Sequence, residues 1–176
     1  MPVERLAATP CVAFCDDDSW WEDGALDLAV EILDHYPEVA ALCGRVLLGA
    51  DCREDPTCAE MARSPLPSAK LPGPALLGFI ACAVVFRRDA YLQDGGYEAR
   101  FFIGGEEALL TLDLAAAGWR IAYAPQLTVH HHPSPYRAMS RVRSSLSAMH
   151  YGWPGCACHW HGRSGKPCTS SGGRPA

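Results

Sequence analysis

Three adjacent carboxylates, Asp16-Asp17-Asp18, directly follow a short apolar run, Pro10-Cys-Val-Ala-Phe-Cys15. A run of that length suits a buried strand. Acids at the C-terminal end of such a strand sit where open α/β sheets bind their ligands. Three neighbouring carboxylates repel one another unless a cation is shared among them. One reading is therefore a Mg2+ or Mn2+ site that holds a diphosphate. The other is a solvated turn that caps a helix, because Ser19-Trp-Trp-Glu22 has capping-box spacing. This segment alone leaves both open.

Composition narrows the class. The 176 residues suit one domain with a sizeable core, and the apolar fraction of 49% is ordinary for a globular chain. A net charge of −5 argues against a nucleic-acid partner. The charge is unevenly spread: all 20 acids lie at or before Asp113, and the chain from Leu114 onward has seven Arg or Lys. That stretch reads either as a basic arm or as a tail never selected as protein. Met1-Pro-Val-Glu-Arg5 lacks the apolar core of a signal peptide, and the longest apolar stretch, 74–86, is too short to span a bilayer. A cytoplasmic chain is expected. Nine irregularly spaced cysteines without an export signal predict reduced thiols.

Periodicity predicts a strand over 10–15 and an amphipathic helix over 22–36, with Leu26, Ala29, Val30, Ile32 and Leu33 on one face and Pro37 ending it. A second strand is expected over 39–48. Residues 51–74 hold five prolines and read as a loop, with a short helix near 58–63. A strand over 76–86, a helical turn over 88–93 and a second amphipathic helix over 106–117, stopped by Gly118, follow. Two short strands, 119–123 and 127–131, close the ordered part. Residues 137–176 lose periodicity and read as an irregular, disordered tail.

Two further clusters carry chemistry. Gly104-Gly105-Glu106-Glu107 combines glycines that permit close backbone approach with two acids at a helix start. An ionised carboxylate there suits a general base, and it equally suits an ordinary helix start. In His130-His131-His132, strand alternation puts His130 and His132 on one side and His131 on the other. An imidazole completes a carboxylate metal shell, or simply solvates a strand end. Cys156-Ala-Cys158-His159-Trp-His161 has poor spacing for zinc.

The order of these features resembles the later part of family 2 glycosyltransferases of the GT-A fold. The matching stretches are Thr9 to Ser19, Leu77 to Val85, Gly95 to Glu107 and Gly118 to His131. The resemblance implies a partial, Rossmann-like α/β fold, a mixed sheet flanked by helices, with a glycosyltransferase domain over 1–136. The family's acidic Asp-x-Asp metal motif falls on Asp16 and Asp18, with Asp18 on the cation and Asp16 and Asp17 toward the sugar nucleotide. Its pair of acids before the helix falls on Glu106 and Glu107. Glu107 becomes the general base, one methylene longer than the family's usual Asp. Its metal-proximal histidine falls on His131, with His130 as the fallback. Trp20 and Trp21, together with Gly104 and Gly105, would line the acceptor side.

The activity implied is an inverting hexosyl transfer, assisted by Mg2+ or Mn2+, from a nucleotide-diphospho-sugar to a glycan, lipid-linked or small-molecule hydroxyl. Peripheral association with the inner face of a membrane goes with the lipid-linked case. The family's usual nucleotide-binding βαβ unit before the acidic motif is not in the sequence, so strand 10–15 is expected at a sheet edge and an inactive binding module is the competing reading. The codons that Ala148 to Trp160 permit include an apolar, Arg-containing pattern in a shifted frame, so a frameshifted tail is also expected.

Overall fold

The computed structural model describes residues 9–93, 95–98 and 105–133. The run before the aspartates forms strand β1 (Cys11–Ala13), with Val12 and Phe14 buried. β2 (Ser19–Trp21) and helix α1 (Ala25–His35) follow. The capping box that the spacing of Ser19–Glu22 allowed as an alternative does not form. Ser19 pairs in a strand, and α1 begins only after Gly24. Spacing alone fits both outcomes, and the ladder to a distant strand decides between them.

β3 (Val39–Leu48) spans the stretch expected to form the second strand. β4 (Arg53–Glu54) and α2 (Pro56–Ala62) occupy the proline-rich stretch. Asp55 caps α2, its Oδ1 accepting from the Thr57 amide at 2.8 Å, and Pro56 fills the first helical position. The strand expected over 76–86 is instead divided. β5 (Ala75–Leu76) is separated from β6 (Val84–Arg87) by a loop and a single 3-10 turn, Ala81–Ala83. α3 (Arg88–Gln93) and α4 (Glu106–Ala116) match their expected spans closely. The two short strands expected near the end are one, β7 (Arg120–His131).

β7 stays continuous across Pro125 because the ladder shifts there. Gly44 pairs with Ala124, and Arg45 already pairs with Thr128. The bulge takes up the proline without a ladder hydrogen bond.

The sheet order is β1-β6-β3-β7-β2, with β4 on β3 and β5 on β7. β3 and β7 run parallel, and the other pairings are antiparallel. Helices cover both faces, which makes the fold α/β. On one face Ala29 and Leu33 of α1 pack against Val39, Leu42, Val85, Ala122 and Leu127. Burying a side chain such as Leu33 contributes about 1.5–3 kcal/mol. On the other face Phe14, Cys43, Val46, Phe86 and Val129 meet Tyr91 of α3 and Leu110 and Leu114 of α4. Arg87 closes the end of α1, its guanidinium donating to the carbonyls of Leu33 at 2.6 Å and Tyr36 at 3.4 Å. Both carbonyls also accept a backbone amide, from Tyr36 and Val39 respectively, so the guanidinium gives each a second partner at the helix end.

β1 pairs with β6 alone among the described residues. Cys11, Cys43, Cys58 and Cys82 are reduced, as expected, whereas Cys52 is disulfide-bonded. No described helix is long and apolar enough to cross a membrane. The expected tail, 137–176, and the Cys156–His161 cluster lie outside the described residues.

Candidate metal and acid–base site

Asp16, Asp18 and His131 converge. One ligand atom from each lies within 4.8 Å of the others. His131 Nε2 stands 3.2 Å from Asp18 Oδ1, and both side chains are more than four-fifths buried. Local sequence explains the approach. After β1 the chain turns tightly, the Ser19 amide donating to the Asp16 carbonyl at 3.1 Å while Ser19 Oγ accepts from the Asp16 amide at 2.7 Å. β2 then pairs with β7, placing Ser19 opposite His131, and the His132 amide donates to the Asp18 carbonyl at 2.8 Å. Backbone bonds thus clamp the acidic turn to the end of β7. Asp17 is exposed and stands outside the cluster.

The donor set suits a hard divalent cation such as Mg2+ or Mn2+: two carboxylates, with a neutral imidazole that Mn2+ accepts readily. The residues present fit the ion that the Asp-x-Asp motif implies. Strand alternation separates the histidines as expected. His131 faces Asp18, while His130 stacks on Trp20 at 5.3 Å and His132 lies 4.8 Å from the same ring. Trp20 therefore sits with His130 and His132, and is 37% exposed. Trp21 instead anchors the approach to the acids, its indole N–H donating to the Phe14 carbonyl at 3.3 Å.

α4 supplies the second pair of acids. Gly105 caps the helix at φ 97°, a left-handed conformation that a side chain would strain. Glu106 is buried, and Thr111 Oγ1 donates to the Glu107 carbonyl at 2.7 Å. Burial raises the Glu107 carboxyl above its ordinary range, and the nearby charges of Glu106 and Asp16 add to the shift. Glu107 and the Asp16 end of the metal cluster therefore share one electrostatic environment. Gly104 lies outside the described residues.

Two neighbours escaped the sequence reading. The Cys82 thiol, on the 3-10 turn, is pushed up by burial and then by the field of Asp16. Tyr97, in the Gly95-Gly96-Tyr97 stretch, is pushed up by burial, then by Tyr91, Glu107 and Glu106. Only the break before β6 could have signalled Cys82, and apolar periodicity hides such a break.

A two-faced sheet with Asp-x-Asp after its first strand and an acid-led helix before its last defines the GT-A glycosyltransferase fold. No protein-family model matches the chain. N-acetylglucosaminyl-diphospho-decaprenol L-rhamnosyltransferase of Mycobacterium tuberculosis is 26% identical over 163 residues, covering 80% of this chain and 52% of the relative. The chain thus spans about half the length of the curated relatives it matches. Among solved structures, the mannosyltransferase PcManGT of Pyrobaculum calidifontis, in complex with GDP-Man and Mn2+, superposes with a TM-score of 0.57 at 19% identity, covering 84% of this chain and 40% of that one. TarS of S. aureus in complex with UDP-GlcNAc gives 0.54 at 14% identity, over 74% of this chain and 37% of that one. The resemblance to family 2 glycosyltransferases is borne out.

Proposed function

We propose that this chain bears the cation-binding and acid–base part of an inverting, family 2-type hexosyltransferase. Its donor is a nucleotide-diphospho-sugar. The observation that carries the reading is the convergence of Asp16, Asp18 and His131, with Glu107 in the same field. When bound there, Mn2+ or Mg2+ offsets the charge that develops on the departing diphosphate. Glu107 takes the acceptor proton as the hydroxyl attacks the anomeric carbon from the face opposite the leaving group. The bond to the diphosphate oxygen breaks in the same displacement, so the chain forms no covalent intermediate. Burial favours this role, because a carboxylate with a raised pKa is a stronger base once ionised.

The curated relative is named for a decaprenol-linked substrate, which supports a lipid-linked acceptor. Binding without catalysis is the competing reading.

Calorimetric titration of the chain with GDP and with UDP, each with and without Mn2+, tests the proposal. Mn2+-dependent binding of a nucleoside diphosphate that Asp18→Ala abolishes is expected. A chain that binds neither nucleotide in the presence of Mn2+ would be the binding module instead.

A further inference from the structure

The outer face of α4 is unlike that of an ordinary surface helix. A helix that packs one face on a core turns charged and polar residues to solvent. Beyond its first turn α4 carries a single charge, Asp113, and its exposed positions include Ala108, Leu112, Ala115 and Ala116. Leu112 is 58% exposed, and Leu77, just past β5, is 56% exposed. These are two of the three exposed large apolar side chains among the described residues. Leu77 lines a cleft of about 340 Å3 between α4, β5 and the start of β7. Leu66, Leu76, Trp119 and Ile121 line it too, and Thr111 and Ala115 of α4 close one side. Concave, mostly apolar clefts of this size are where proteins hold small ligands. The polar side chains Thr111 and Arg120 in its wall are engaged by backbone: Thr111 Oγ1 donates to the Glu107 carbonyl at 2.7 Å, and the Arg120 guanidinium donates to the Pro67 carbonyl. The cleft therefore offers a hydrocarbon far more than it offers a sugar.

We propose that this cleft holds the isoprenoid chain of a lipid-linked acceptor whose hydroxyl is presented to Glu107. The inference rests on the lipid-linked acceptor proposed above and gives that acceptor's tail a place in the fold. Both walls lead from the cleft to the reacting centre. Thr111 and Ala115 stand one and two turns beyond Glu107 on α4, about 6 and 12 Å along the axis. On the other wall the chain runs from Leu77 to the 3-10 turn and on to Val84. The Val84 carbonyl accepts from the Phe14 amide at 2.9 Å, just ahead of the Asp16 turn. An acceptor hydroxyl at Glu107 thus has an apolar path for its tail that begins one helical turn away. Charge agrees: no carboxylate lines the cleft and its one charged residue is Arg120, so a phosphate on the chain meets no repulsion there. A second copy of this chain is the competing occupant of the same apolar surface.

Calorimetric titration of the whole chain with farnesyl phosphate, below its aggregation concentration, and with inorganic phosphate tests the cleft. Farnesyl phosphate is expected to bind at least about tenfold more tightly than inorganic phosphate. Ala115→Phe fills the cleft and Leu77→Gln makes one wall polar. Each is expected to lower the affinity for farnesyl phosphate about tenfold. Both positions are exposed, so both variants are expected to melt close to wild type. Should one not fold, the other carries the comparison. A wild type that binds no farnesyl phosphate overturns the inference, as does equal affinity in wild type and the folded variants. Inorganic phosphate that binds as tightly as farnesyl phosphate overturns it too, because the hydrocarbon then contributes nothing. A wild type that sediments as a dimer, and that Leu77→Gln turns into a monomer, overturns it in favour of a second copy. GDP and UDP are titrated alongside in Mn2+. If a nucleotide binds and farnesyl phosphate does not, this inference alone falls. If farnesyl phosphate binds and neither nucleotide does, the glycosyl-transfer reading falls and the acceptor role of the cleft falls with it.

Discussion

His131 Nε2 lies 3.2 Å from Asp18 Oδ1, and the next residue along, His132, holds the Asp18 carbonyl through its amide at 2.8 Å. The end of β7 therefore fixes the acidic turn twice, once through a side chain and once through backbone. Only the side-chain contact belongs to the metal cluster. Asp18→Ala and His131→Ala are accordingly expected to keep the fold and to weaken Mn2+ binding by at least about tenfold each, about 1.4 kcal/mol. Titration monitored by the paramagnetic signal of free Mn2+ checks this. Equal affinity in wild type and both variants would remove the site.

Glu107 yields a prediction of opposite signs for activity and stability. Burial first, then Glu106 and Asp16, holds its carboxyl above its ordinary value of 4.5. The folded chain therefore keeps a proton that the unfolded chain has released. Stability from this group is full below the unfolded value and is lost as pH rises through the folded one. Glu107→Gln cannot ionise, so its melting temperature should exceed that of wild type at neutral pH and converge with it in acid. Transfer should meanwhile fall by about 10²–10⁴-fold. In wild type the acid limb of the rate should lie above the ordinary carboxylate range. A glutamine variant that is both active and no more stable would contradict the assignment.

The elements that the sequence disclosed are those in which local pattern and tertiary setting agree. β3 is apolar along its length because helices cover both faces of the sheet, and Pro37 ahead of it and Gly49 behind it mark its limits. α4 shows helical spacing and stops at Gly118. The misread segments are those whose state depends on a distant partner. Ser19–Trp21 has the spacing of a helix cap and becomes a strand because β7 pairs with it. Pro125 looks like a strand break and is absorbed by a bulge against Gly44. The acids were visible because carboxylates at a strand end are unusual. The buried Tyr97 hydroxyl was not, because only packing shows which end of a tyrosine is dry.

Gly44 is required by close approach. A Cβ there would lie 2.7 Å from the Leu127 carbonyl oxygen and 3.2 Å from the Trp21 ring. The first contact is with backbone inside the bulge and has little room to move. Gly44→Ala should therefore destabilise the chain by about 1–3 kcal/mol. It should also disturb Trp21, whose indole N–H holds the Phe14 carbonyl. Urea unfolding followed by tryptophan fluorescence reads both effects, as a lower midpoint and a changed native spectrum. A variant as stable as wild type would show that the bulge yields.

Phe86 connects the core to the metal cluster. It is fully buried and its ring meets Phe14 at 5.7 Å, Phe79 at 5.3 Å and Tyr91 at 5.1 Å. Truncation to alanine should cost about 3–5 kcal/mol, a large share of the 5–15 kcal/mol that a domain usually has. Phe86→Leu is milder and removes the edge contact that orients Phe14, just before the acidic turn. The acids themselves stay in place. Mn2+ at a hundred times its dissociation constant should stabilise the wild-type chain by about 2.7 kcal/mol. At the same Mn2+ concentration Phe86→Leu should gain less, because a loosened Phe14 lets the Asp16 turn drift. Urea midpoints with and without Mn2+ measure the difference. Equal gains in both proteins would mean that the backbone clamp between Asp18 and β7 sets the site by itself, without help from the core.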